Sequence, residues 1–138
     1  MMKAIGYCRV STEGQARDGV SLEAQQAKIK AWCQANGCEL MGLFVDAGLS
    51  GSRSDNRPGL QQGLTQACTH KAAFVVYSLS RLARSTKDAL VISERLDKSG
   101  ADLVSLSERI DTTTAAGKMV FRMLSVLSEF EADLVAER

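Results

Sequence analysis

"AAFVVY", residues 72–77, is an unbroken apolar run of two alanines followed by aromatic and β-branched residues. It has the length of a strand, too short for a buried helix. A strand with no polar alternation is buried on both faces, as in a parallel sheet covered by helices. The flanks agree. "SLSRLARST" follows, and then a helix is predicted over 86–99, with Ala89, Ile92 and Leu96 on one side and Gly100 as its stop. A fourth strand is predicted at about 101–106, "ADLVSL".

Upstream the same alternation repeats. A first strand is predicted at 3–10, ahead of a loop with Gly14 and Gly19. A helix starts near Ser21, a suitable N-cap, with Glu23 in its first turn; its apolar stripe is Leu22, Ile29, Trp32 and Cys33, and "NG" at 36–37 ends it. A second strand is predicted at about 39–45, "ELMGLFV". A long polar loop leads to Pro58, the only proline, at the first turn of a helix that ends by His70. The fold expected is α/β: a mostly parallel sheet of about four to five strands covered by helices. A long C-terminal helix runs from near Thr114 to the end.

The chain has 138 residues, 45% hydrophobic and 24% charged, which suits one soluble domain. No apolar run has membrane-span length and the N-terminus lacks signal-peptide features, so a cytoplasmic protein with no membrane partner is expected. Cys8, Cys33, Cys38 and Cys68 show no Cys-x-x-Cys spacing and His70 is the only histidine, so no metal site is expected and the thiols are read as reduced. Net charge is +1, too low for a domain that grips duplex DNA by itself. Yet 10 of the 17 basic residues are arginine, the better residue for two-pronged recognition of phosphate.

Ligands of open parallel sheets bind outside the carboxyl ends of the strands. That edge collects Ser11 after the first strand, then Asp46, Ser50, Arg53 and Arg57 after the second. It adds Arg81 and Arg84 after the third and Arg109, Asp111 and Thr112 after the fourth. Tyr7, Arg9 and Ser11 share one strand face by alternation. His70 precedes the third strand and falls at the opposite edge, which excludes a Ser-His-Asp triad. Walker A and G-x-G-x-x-G loops are absent. A hydroxyl among guanidiniums fits serine attack on a phosphodiester, with the arginines stabilising charge on the phosphoryl oxygens. Plainer readings stand beside this one. Tyr7 could cover the sheet end, Arg9 could form an ion pair with Asp46, and Ser11 could bond its own backbone; Thr12 is a rival nucleophile.

Five motifs in order resemble those of the serine site-specific recombinases, the resolvases, invertases and phage-type integrases. They are "YCRVSTEGQ" (7–15), "SLEAQ" (21–25), "DAGLSGSRSDNRPGL" (46–60), "SLSRLARS" (78–85) and the pair "TTTAAGKM" and "FEADLVAER" (112–119 and 130–138). The resemblance implies a nucleophile at Ser11 that takes the DNA end as a 5′-phosphoserine, with phosphate-binding arginines at Arg9, Arg57, Arg81 and Arg84. It implies supporting roles for Tyr7, Gln15, Gln25, Asp46, Ser80, Thr112 and Glu137. It implies strand cleavage and rejoining without metal, ATP or other cofactor.

It also implies a catalytic core over 1–113 and a dimerisation helix over 114–138, leading towards a DNA-binding region outside this chain. The implied partners are double-stranded DNA at a specific recombination site and further copies of the chain, as dimer and synaptic tetramer. Two positions depart from the pattern: Ser80 stands where many members have Asp, and Ala132 where many have Arg. They support an alternative, a non-catalytic recombinase-like module for regulation or dimerisation. The apolar stripe of the last helix is Val120, Met123, Leu124, Leu127, Phe130 and Leu134. Its first half is expected to pack on the core. At about 25 residues, nearly 40 Å, the helix outruns the sheet, so Leu127, Phe130 and Leu134 are expected to meet a second chain.

Overall fold

The computed structural model describes residues 2–10, 20–47, 57–83 and 85–136, the side chains of 128, 131, 132 and 135 aside. In chain order the elements are β1 (Met2–Val10), α1 (Leu22–Ala35), β2 (Cys38–Ala47), α2 (Pro58–His70), β3 (Ala73–Val76), α3 (Leu79–Leu82), α4 (Thr86–Lys98), β4 (Asp102–Ser105), β5 (Ile110–Asp111) and α5 (Ala115–Ala136). The sheet order is β2-β1-β3-β4-β5. The first four strands are parallel, and β5 runs antiparallel to β4. This is the expected α/β fold with its mostly parallel sheet and long final helix.

β1 and β3 lie at the centre, and period-two alternation sends their side chains to two separate cores. Ile5, Tyr7, Phe74, Val76 and Leu103 face α2 and α4, where Leu60, Leu64, Ala89, Ile92 and Leu96 meet them. Ala4, Cys8, Ala73, Val75 and Val104 face α1 through Ile29 and Cys33. Burial pushes the Cys8 and Cys33 thiols up to about 11, so both stay protonated and inert near neutrality.

The helix ends follow the chemistry read from the sequence. The Ser21 hydroxyl accepts from the Ala24 amide at 3.1 Å, and Gly37 takes a φ of +63° behind α1. Gly100, at φ +79°, turns the chain after α4. Three features depart from expectation. The four-residue α3 and the two-residue β5 lie below the length at which periodicity carries a signal. The antiparallel return of β5 also carries Thr112 back to the start of β4. There Thr112 Oγ1 accepts from the Leu103 amide at 2.8 Å and donates to Asp102 at 3.2 Å. Thr112 therefore sits towards the amino edge, not the carboxyl edge where strand order alone put it.

The third departure concerns α5. It touches α4 and β5 through Phe121, buried, and Leu124, half-buried. Val120 and Met123 were expected in the core, yet they are 45% and 58% exposed. Phe121 and Leu124 sit three residues apart and use one narrow face of the helix. The large apolar side chains described beside that face are left outward: Met119, Val120, Met123, Val126, Leu127, Phe130 and Leu134 are all exposed.

Candidate active site

The carboxyl ends of β1, β2 and β3 and the starts of α2 and α3 converge on one edge. The register sets Arg9 of β1 beside Asp46 of β2. Asp46 is buried, and both its oxygens are engaged. Oδ1 accepts from the Gly59 amide at 2.8 Å, and Oδ2 from the Leu60 amide at 3.0 Å and the Tyr7 hydroxyl at 2.8 Å. Gly59 and Leu60 belong to the first turn of α2, whose amides have no partner within the helix. Asp46 therefore caps α2 from a neighbouring strand, where a negative charge suits the helix dipole.

Gly59 is required for this approach: a Cβ there would lie 2.9 Å from Asp46 Oδ1 and 2.9 Å from the Val45 carbonyl. Tyr7 is fully buried and stacks on Phe74 at 5.9 Å. Burial, then the hydrogen bond to Asp46 and its negative charge, push the phenol far above its ordinary range, so it stays neutral. The ion pair weighed for Arg9 and Asp46 does not form. Among the described residues the ion pair found is Arg57 with Asp88, at 3.3 Å.

Arg9 and Arg81 clasp each other through the main chain. Arg9 Nε donates to the Arg81 carbonyl at 3.2 Å, and Arg81 Nη1 donates to the Arg9 carbonyl at 3.2 Å. Arg9 Nη2 also donates to the Ser80 carbonyl. Gln25, buried in α1, completes the frame: its amide donates to the Arg9 carbonyl at 3.2 Å and accepts from the Arg9 amide at 3.4 Å. The arginine next to the end of β1 is thus held in backbone and side chain at once. Ser80 is exposed, and its hydroxyl lies 2.9 Å from that of Ser78. Arg57 is buried and donates through Nη1 to the Leu82 carbonyl at 2.7 Å.

Of the residues singled out from sequence, Tyr7, Arg9, Gln25, Asp46, Arg57, Ser80 and Arg81 come together at this edge. Thr112 does not. Ser11, Gln15, Arg84 and Glu137 lie outside the described residues, as do Ser50 and Arg53. Two acids at the edge escaped the sequence reading. Asp88 could have been found from the Ser85–Asp88 spacing at the start of α4, where the Ser85 hydroxyl accepts from the Asp88 amide at 3.1 Å. Glu108 stands in the turn before β5, where its carboxylate accepts from the Leu79 amide at 3.2 Å and from the Ser105 hydroxyl. No spacing rule marks it. Among the described residues no group of three or more His, Cys, Asp or Glu side chains is placed to hold a metal. Among them, too, no helix is long and apolar enough to cross a membrane.

Chemically, this edge offers three guanidiniums fixed at the ends of rigid elements. Such a site suits a phosphoryl group, whose oxygens accept paired N–H donors. Residues 4–138 match the family model described as resolvase, N-terminal domain. The chain is 38% identical over 137 residues to the integrase-like protein y4lS of Sinorhizobium fredii, covering 99% of this chain and 68% of that protein. It is 36% identical over 137 residues to DNA-invertase hin of Salmonella typhimurium, covering 99% and 65%. The solved N-terminal catalytic domain of TP901-1 integrase matches with a TM-score of 0.82 at 34% identity, covering 96% of this chain and 98% of that one. The chain thus spans about two thirds of the length of these curated relatives.

Proposed function

The chain belongs to the resolvase family, whose N-terminal domain it carries, and on that premise we propose that it is the catalytic domain of a serine site-specific recombinase. The observation that carries the reading is the convergence of Arg9, Arg57 and Arg81 on the edge that Ser11 directly follows. Ser11 Oγ attacks a DNA phosphorus, the bond to the 3′ oxygen breaks, and the 5′ phosphate is left on serine. The serine hydroxyl gives up its proton to water and the leaving 3′ oxygen takes one up, so the step is proton-neutral and ends in a 3′ hydroxyl. In rejoining, a 3′ hydroxyl of a second strand attacks the phosphoserine and frees Ser11. One ester replaces another at each step, so the exchange conserves bond energy without ATP.

The arginines have two roles in this scheme. They hold the phosphate in line with the hydroxyl, and they stabilise the charge that grows on its oxygens. With Ser80 in place of an acid, Arg81 or Arg84 would stabilise or protonate the leaving 3′ oxygen. Tyr7, Gln25 and Asp46 would position rather than react: Gln25 holds Arg9, and Asp46 ties Tyr7 to the start of α2. Residues 1–113 would form the catalytic core and 114–138 the pairing helix. Its outward face, from Met119 to Leu134, suits dimer and synaptic tetramer formation on double-stranded DNA in the cytoplasm.

The experiment is a covalent trap. The full-length protein is mixed with nicked duplexes tiled across the DNA flanking its own gene, and products are run on a denaturing gel. A protein–DNA adduct that Ser11→Ala abolishes supports the reading. Specific binding with no adduct from the wild type would instead support a non-catalytic module.

A further inference from the structure

Asp88 has no part in the scheme above, yet its carboxylate meets the Arg57 guanidinium at 3.3 Å. The Arg57 side chain is only 6% exposed, and that of Asp88 is 33% exposed. Arg57 forks between the end of α3 and the start of α4, with Nη1 on the Leu82 carbonyl and Nη2 on Asp88. Leu82 is the last residue of α3 and directly follows Arg81, so the Nη1 contact ties Arg57 to the helix that carries Arg81. Asp88 is itself fixed, because its amide is capped by Ser85 and it stands in the first turn of α4. A buried cation needs a partner of opposite charge, and one carboxylate removes much of the rotational freedom of a long side chain.

We propose that Asp88 is a positioning residue of the strand-transfer site: it sets the orientation of Arg57 and, through that fork, the spacing between the start of α2 and the Arg81-bearing helix α3. The inference rests on the reading that this edge holds a DNA phosphate. DNA affinity is a sum over many phosphate contacts, whereas cleavage depends on the alignment of the few groups at the reacting phosphate. The effect of Asp88 should therefore fall on the rate of cleavage far more than on DNA affinity.

Two measurements on the full-length protein test it. The first needs no DNA: the Arg57 side-chain N–H signals in a 15N spectrum should exchange slowly in the wild type and broaden in Asp88→Asn. Signals unchanged by the substitution would overturn the proposal. The second uses the tiled nicked duplexes, with affinity and single-turnover cleavage measured separately. Asp88→Asn should cut cleavage by about tenfold or more with affinity within twofold, since a small misplacement at a reacting centre is costly. Asp88→Glu should recover most of the rate. In an Arg57→Lys background the same Asn change should cost less than twofold. Wild-type cleavage by Asp88→Asn, or an equal loss in both backgrounds, would overturn it. No adduct from the wild type on any duplex would remove the proposed function instead, while the spectrum still decides the Arg57–Asp88 coupling.

Discussion

The hydroxyl of Tyr7 donates to Asp46 at 2.8 Å, and the same carboxylate accepts from the first-turn amides of α2. One acid thus joins the central strand, its neighbour and the helix that begins next to Arg57. Asp46→Ala would leave a buried phenol and two amides without this acceptor. Each lost partner costs about 1–3 kcal/mol, so a loss of about 3 kcal/mol or more is expected in a urea titration. Tyr7→Phe removes one bond and should cost about 1 kcal/mol.

The same bond has a pH signature. The folded-state pKa of Tyr7 lies above its unfolded value of about 10, so the fold favours the neutral phenol. This contribution is complete below the unfolded pKa and is lost as pH rises above it. Wild-type stability should fall towards that of Tyr7→Phe above about pH 10. Absorbance at 295 nm checks it: the Tyr7 phenolate, found by difference from Tyr7→Phe, should appear only as the protein unfolds.

Arg9→Lys and Arg81→Lys should each fail to restore cleavage although charge is kept. Each arginine uses more than a point charge: Arg9 engages two carbonyls, and Arg81 reaches back to the Arg9 carbonyl. Lysine cannot reproduce that fork. Loss of one aligned donor commonly lowers rates by about a hundredfold or more. Adduct formation near the wild-type rate by either variant would show that charge alone suffices.

The exposed face of α5 should drive self-association. Met119, Met123, Val126 and Phe130 recur at spacings of three and four residues, the seam pattern of paired helices. Light scattering of the 138-residue chain should show a dimer at high concentration that Leu127→Glu or Met123→Glu dissociates. A monomer throughout, unchanged by either substitution, would contradict the pairing surface.

How much of this was legible in the sequence depends on length and on range. The four parallel strands and four longer helices announced themselves through apolar runs, caps and punctuating glycines, because those signals are local. β5 and α3 have two and four residues, too few for any period to show. Thr112 was misplaced because strand order says where a chain leaves the sheet but not that a short strand will carry it back. Val120 stands at helical spacing from both Met123 and Leu124, but spacing says which side chains lie together and not which side meets the core. At the site, Arg9, Asp46, Arg57 and Arg81 were found because parallel strands deliver their ends to one edge. Asp88 and Glu108 were missed because the contacts that tie them to the site, with Arg57 and with the Leu79 amide, span about thirty residues of sequence, whereas their local serine partners mark only a helix start and a turn.

The central claim is that Ser11 carries the DNA. The most direct measurement is peptide mapping by mass spectrometry of the adduct formed by the full-length protein on a nicked duplex, with EDTA present throughout. The account predicts one modified peptide, bearing a 5′-linked nucleotide phosphate on Ser11 and absent from the Ser11→Ala protein. A nucleotide on Thr12 or another side chain, or an adduct that forms only when magnesium is restored, would contradict it.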